Sequence, residues 1–257
     1  MTDPLAEIWP VLSAGAWHAM LVFLRTGAIV ALLPAFGERS VPIRIKLALA
    51  VAFTIIVAPA APTLPAPPDL AEFVRLALIE TAIGTAVGMT LRLFVLALQT
   101  AGSIAAQTTS LAQLIGGAAA EPLPAMGYVL VVSGLALAMT FGLHVRAAHL
   151  ILASYQLFPA GLAPDAAVLS QWGLARVAAC FRLAFSLAAP FVIASVIYNL
   201  TLGVINRAMQ QLMVAFVGAP FTTFGGLALL LLAAPAMLTG WHAAMAAFMA
   251  NPATLSP

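Results

Sequence analysis

Six long apolar runs, almost free of charge, follow one another through this chain and are separated by clusters of Pro, Gly and polar residues. They extend approximately from Trp9 to Leu33, Ile45 to Ala61, Leu70 to Leu98, Met126 to Leu152, Leu174 to Ile205 and Phe221 to Met249. These lengths lie near or above the roughly 20 residues that a helix needs to cross a bilayer core. The runs are rich in Ala and Leu and show little two-residue alternation, which favours helices over barrel strands. The second run is short and ends among Pro59, Pro62, Pro65, Pro67 and Pro68. Each proline ring removes a backbone donor, so a helix followed by an extended connector is expected there. Apolar residues make up 63% of the chain and charged residues 7%, against about 25% charged in a soluble domain. Lipid, partner subunits or both must therefore cover the outer surface, and the expected fold class is an all-α integral membrane protein.

The formal net charge is only +2, and no polybasic block marks a nucleic-acid footprint, so nucleic acid is not an expected partner. Cys180 is the single cysteine, which excludes an internal disulfide framework and leaves an ordinary buried thiol as the reading. The N-terminal Asp3 and Glu7 stand where a cleaved signal peptide carries basic residues; the first apolar run is expected to direct insertion uncleaved. Arg39, Arg44 and Lys46 follow the first run, and Arg207 follows the fifth. The positive-inside bias places those loops on the cytoplasmic side and both termini on the other.

A search for catalytic chemistry finds neither a phosphate-cradling G-x-x-x-x-G-K-[ST] loop, nor an H-E-x-x-H helix, nor a G-x-S-x-G elbow. His144 and His149 are five residues apart, off a shared helical face, so helix-end histidines are a better account than a metal site. The expectation is a protein that is no enzyme and carries no cofactor or metal.

Charges inside the apolar runs are more informative, because an ionised group facing lipid costs several kcal/mol. Arg25, Glu80, Arg92, Arg146 and Arg182 hold such positions and should face protein or a water-filled space. Four of the five are arginines, which keep their proton, so fixed ion pairs and interfacial anchors are favoured over a proton relay, with Glu80 the one titrating candidate. Gly84-Thr-Ala-Val-Gly88 sets two glycines one helical turn apart, which lets another backbone approach closely without saying which. Met209, Met213, Met245 and Met249 read as core packing ahead of a flexible seal.

Two regions read as non-helical. From Gln107 through Thr108, Thr109, Ser110, Gln113, Ile115, Gly116 and Gly117 to Glu121-Pro-Leu-Pro, the chain is polar, then Gly-rich, then Pro-broken. Irregular backbone at membrane depth must be buried in protein or line a wet cavity, so this is either an exposed loop or a re-entrant plug. The second is Gly203-Val-Ile-Asn-Arg-Ala-Met-Gln-Gln-Leu-Met-Val-Ala-Phe-Val-Gly-Ala-Pro220.

That second region resembles the last hairpin turn of the FliR family, the flagellar type III export-gate proteins. Phe23-Leu-Arg-Thr, the stretch from Pro34-Ala-Phe-Gly-Glu-Arg through Lys46-Leu-Ala-Leu-Ala, Glu121-Pro, and Ser154-Tyr-Gln-Leu-Phe-Pro-Ala-Gly agree with the family in order. The resemblance implies a core gate subunit through which unfolded proteins pass, working with FliP-like, FliQ-like and FlhB-like subunits and membrane lipid, at the flagellar basal body in the inner membrane. It implies a single export-gate domain over residues 1–257, with a FliP-like part over about 1–205 and an overlapping FliQ-like hairpin over 174–249. It implies a pore-facing plug over Gln107 to Gly117. It also implies a cytoplasm-facing subunit contact at the hairpin tip, with Asn206, Arg207, Gln210, Gln211, Met213, Gly218 and Pro220. Glu121, where the family usually has Asp, and Ala118 to Ala120 depart from the common pattern. A virulence-type export-gate subunit and a small secondary transporter are the alternatives.

Overall fold

The computed structural model describes residues 4–63, 69–109, 125–208 and 214–253, and these are helical throughout their regular structure. Seven α-helices are described: α1 (Pro4–Leu32), α2 (Ile43–Val57), α3 (Leu70–Thr109), α4 (Ala125–Thr140), α5 (Leu143–Leu157), α6 (Ala166–Ala208) and α7 (Val214–Ala250), with a 3-10 turn over Ala58–Ala60 after α2. Five helices are long and apolar enough to cross a membrane, or up to six if the broken pair α4 and α5 counts as one span. The chain is an all-α integral membrane protein, as its apolar runs require.

Two elements depart from the sequence reading. The fourth run breaks at Gly142, which takes a left-handed conformation with φ 74° at the start of α5. Glycine accepts that backbone without a side-chain clash. Both regions read as non-helical are helical where they are described: α3 continues through Gln107, Thr108 and Thr109, α6 through Asn206 and Arg207, and α7 already includes Gly218 and Pro220. The polar residues do not interrupt these helices where they are described, since Gln, Thr and Asn cost under about 1 kcal/mol each in a helix.

The chain divides into two compact units. The first comprises Met1–Leu93, Met139–Val177 and Met245–Pro257. Its core includes Leu21, Ile29 and Leu33 of α1, Phe53 and Val57 of α2, Ile83, Val87 and Leu91 of α3, and Leu143, Leu150 and Ile151 of α5. On α3 the buried positions Leu76, Glu80, Ile83, Val87 and Leu91 recur every three or four residues, which is one face of a helix.

The second unit comprises Phe94–Ala138 and Ala178–Ala244. Here small residues bring backbones together. A Cβ on Gly102 of α3 would collide with the Gly127 Cα of α4 and lie 2.6 Å from its nitrogen, and one on Gly134 would lie 2.5 Å from Leu98 Cδ1. Trp241 of α7, fully buried, donates its indole N–H to the Phe94 carbonyl at 2.8 Å. That bond gives the large ring its polar partner.

Candidate functional site

The most heavily organised polar site lies in the first unit, around Arg25 of α1. Its position follows from the glycines of α3. A Cβ on Gly84 would collide with the Arg25 carbonyl oxygen and lie 2.9 Å from Ala28 Cβ, while one on Gly88 would lie 3.0 Å from Leu32 Cβ. The small-residue motif therefore seats α3 on α1 within the chain, at positions 25, 28 and 32. One turn before Gly84, Glu80 then meets Arg25: the guanidinium Nε donates to Glu80 Oε2 at 2.6 Å, and both side chains are essentially inaccessible.

The end of α5 and the loop after it meet Arg25 Nη1 and the second Glu80 oxygen, while Arg25 Nη2 has no hydrogen-bond partner among the described residues. Arg25 Nη1 donates to the Phe158 carbonyl at 2.9 Å and the Ser154 carbonyl at 3.3 Å. The Phe158 carbonyl sits at the C-cap of α5, where partial negative charge favours a cation, and the Ser154 carbonyl also accepts the Phe158 N–H at 2.9 Å. The Gly161 N–H donates to the other Glu80 oxygen, Oε1, at 2.9 Å. Gly161 has φ 73°, a conformation that other residues rarely adopt, so glycine aims this amide. The Tyr155 ring lies 4.0 Å from the guanidinium carbon, within cation–π range. The segment Ser154 to Gly161 thus presents carbonyls to the cation and an amide to the anion. Both carboxylate oxygens of Glu80 are engaged, one of them in a charge-assisted bond.

Arg92 is half-buried and pairs with Glu38 in the loop after α1, with about a quarter of its side chain accessible. Lys46 closes the same loop by donating to the Gly37 carbonyl at 2.9 Å. The Phe23, Pro34 and Ser154 sequence landmarks therefore supply Arg25, Glu38 and the Ser154 to Gly161 wrap, all in ion-paired sites.

The other two arginines within the apolar runs are more accessible in the chain taken by itself. Arg146 is half-buried, its Nε 3.4 Å from the Phe141 carbonyl. Arg182 is exposed beside Phe181 and Phe185, which are themselves 54% and 60% accessible. It sits on an outward stripe of α6, where core packing does not reach. Cys180 is half-buried.

Arg176, which the sequence reading passed over, is buried. It donates to the Pro252 carbonyl at 3.4 Å and lies 5.2 Å from the Phe248 ring and 5.6 Å from that of Trp172. The Trp172 indole donates to the same carbonyl at 3.2 Å. The signal was present: Trp172 and Arg176 are four apart, hence neighbours on one helical face.

Of the expected plug residues, Gln107 is exposed at the end of α3; Thr108 and Thr109 are placed by backbone alone, and Ser110, Gln113, Ile115, Gly116 and Gly117 lie outside the described residues. At the hairpin tip Arg207 is exposed on the last turn of α6, where a cation suits the helix C-terminus. Asn206, Gly218 and Pro220 are placed by backbone alone, and Gln210, Gln211 and Met213 lie outside the described residues. Among the described residues, no three His, Cys, Asp or Glu side chains are grouped as for a metal.

Residues 16–248 match the profile of bacterial export proteins, family 1. The chain belongs to that family. It is 34% identical over 227 residues to the flagellar biosynthetic protein FliR of Caulobacter vibrioides, covering 87% of this chain and 90% of that one. Against FliR of Escherichia coli K12 the identity is 31% over 212 residues, 80% of each chain. Against FliR of Bacillus subtilis it is 28% over 214 residues, 78% of this chain and 80% of that one. The family match over residues 16–248 takes in the Arg25, Glu38, Glu80 and Arg92 sites, and this export-family chain resembles these relatives over most of its length.

Proposed function

We propose that this chain is a core subunit of a flagellar protein export gate in the bacterial inner membrane, where it helps form the pore that passes unfolded flagellar proteins. Family membership supports the export role, and the relatives' shared name supports the flagellar one. The observation that carries assembly is α6. Its exposed apolar side chains run from Val168 through Leu174, Phe181, Phe185, Ile193, Val196 and Leu200 to Val204. At 1.5 Å per residue this stripe is about 54 Å long, whereas hydrocarbon covers about 30 Å. Protein must cover much of the rest, and the occupants are FliP-like and FliQ-like gate subunits, with an FlhB-like subunit at the completed gate.

In this reading the Arg25–Glu80 pair and its α5 wrap are a structural pin that sets helix register. The hairpin of 174–249 supplies the FliQ-like part and about 1–205 the FliP-like part. Gln107 to Gly117 close the pore at rest, and Arg207 with Gln210 and Gln211 contact a neighbouring subunit at the cytoplasmic entrance. The chain itself performs no catalysis. Co-expression with FliP-like and FliQ-like subunits tests the proposal: the three should copurify as one monodisperse complex, and this chain alone should aggregate. A stable monomer that binds neither subunit would overturn it.

A further inference from the structure

A cavity of about 490 Å³ opens on one face of α5, where Arg146, His149, Leu152, Ala153 and Gln156 meet Met249 and Ala250 at the end of α7. Among the described residues, no carboxylate lines it. Arg146 and His149 are three apart and so project from the same face. The hydrogen bond of the Arg146 side chain among the described residues is the 3.4 Å approach of Nε to the Phe141 carbonyl, long for such a bond. The terminal guanidinium nitrogens are left for another acceptor. Beyond them the wall is apolar, formed by Leu152, Ala153, Met249 and Ala250, with the Gln156 amide at the far end, about 15 Å along the helix from Arg146.

We infer that this cavity binds one anionic phospholipid, with its phosphate on Arg146 and His149 and its glycerol and upper acyl chain along the apolar wall. Charge complementarity selects the occupant. A guanidinium fork matches phosphate oxygens, an imidazole N–H adds a donor, and basic pockets between membrane helices favour anionic headgroups. A soluble anion would use the cationic end alone and leave the apolar wall uncovered. A lipid satisfies both ends, and the surrounding bilayer supplies it. The site is separate from the Arg25–Glu80 pair and does not depend on the proposed gate role.

The test is native mass spectrometry of the complex purified through this chain, with phosphatidylglycerol or phosphatidylethanolamine of matched acyl chains added. The unmodified protein should retain one phosphatidylglycerol per copy, with roughly fivefold preference over phosphatidylethanolamine for each engaged cation. The double variant Arg146→Gln, His149→Gln should lose the preference while keeping its melting temperature. Ala153→Trp, which fills the apolar wall and leaves both charges, should lower retention of the lipid but not its headgroup preference. Glycerol phosphate in millimolar excess should fail to displace it. The inference is overturned if the unmodified complex shows no headgroup preference, or if the double variant keeps it. It is equally overturned if a photocrosslinker at Gln156 captures a protein subunit in place of lipid.

Discussion

The two units solve the same packing problem with different chemistry. Every buried polar or charged residue described, namely Arg25, Thr26, Thr54, Glu80, Thr90, Ser154 and Arg176, belongs to the first unit. The second buries apolar side chains and glycine contacts, with one indole hydrogen bond from Trp241. In the first, directional bonds add to the close approach of backbones at Gly84 and Gly88; in the second, position rests on shape, through backbones that touch at Gly102 and Gly127. Directional pins tolerate some loss of packing but not the loss of a partner. Shape-matched contacts behave the other way round.

Substitutions that spare one chemistry and attack the other can break this comparison. The largest effect is expected for Glu80→Ala, which leaves Arg25 buried and unpaired. Removing one member of a buried pair costs about 3 to 5 kcal/mol, enough to abolish recovery of folded protein from membranes. Replacing both residues, as Arg25→Met with Glu80→Leu, should restore most of the yield, because the uncompensated charge disappears. If the double variant is no better than the single one, the pair acts through something other than its charges.

Next in size is Gly102→Val. With Gly127 already in contact, added methyl groups must separate α3 from α4, and overpacking of this kind costs about 1 to 3 kcal/mol. No change of charge should rescue it, whereas Gly173→Ala, inside α6 where nothing lies within 4 Å of the added Cβ, should leave the melting temperature unlowered, since Ala is favoured over Gly in a helix by about 1 kcal/mol. Equal effects at the two glycines would remove close approach as the organising feature of the second unit.

A smaller effect is expected for Trp241→Phe, which keeps most of the ring but leaves the Phe94 carbonyl without its indole donor, at about 1 kcal/mol. Thermal unfolding in detergent should show a modest downward shift. Smallest is Glu38→Gln. Its pair with Arg92 is about one-fifth accessible, and exposed pairs contribute about 0 to 1 kcal/mol. A loss comparable to that of Glu80→Ala would show the Glu38 pair to be as buried in the working protein as the Arg25 pair.

The helices and the membrane class were legible because apolar run length is a one-dimensional property, and lipid penalises every interruption. Arg25 and Glu80 could be flagged for the same reason. Their pairing could not, because it joins residues 55 apart through a contact between α1 and α3 whose register only packing decides. Arg182 read the same as Arg25 in sequence, a lone cation in an apolar run, yet one lies on an outward stripe and the other at a helix crossing. The close-approach glycines were visible at Gly84 and Gly88, but their neighbour was not, since Ala28 and Leu32 carry no signal of their own. The break at Gly142 was missed because a single glycine within an apolar run is ambiguous between a packing site and a turn.

The separation of the groups that hold Arg25 also sets a timetable for synthesis. Its carboxylate partner is made 55 residues after it, and the Phe158 carbonyl 133 residues after it. At about 5 to 20 residues per second, Arg25 waits roughly 3 to 11 seconds for Glu80 and about 7 to 27 seconds for the carbonyl. During that interval the cation in the first apolar helix lacks the partners it has in the folded chain. A ribosome stalled before residue 161 would leave the clasp unfinished, because the Gly161 amide closes it on Glu80.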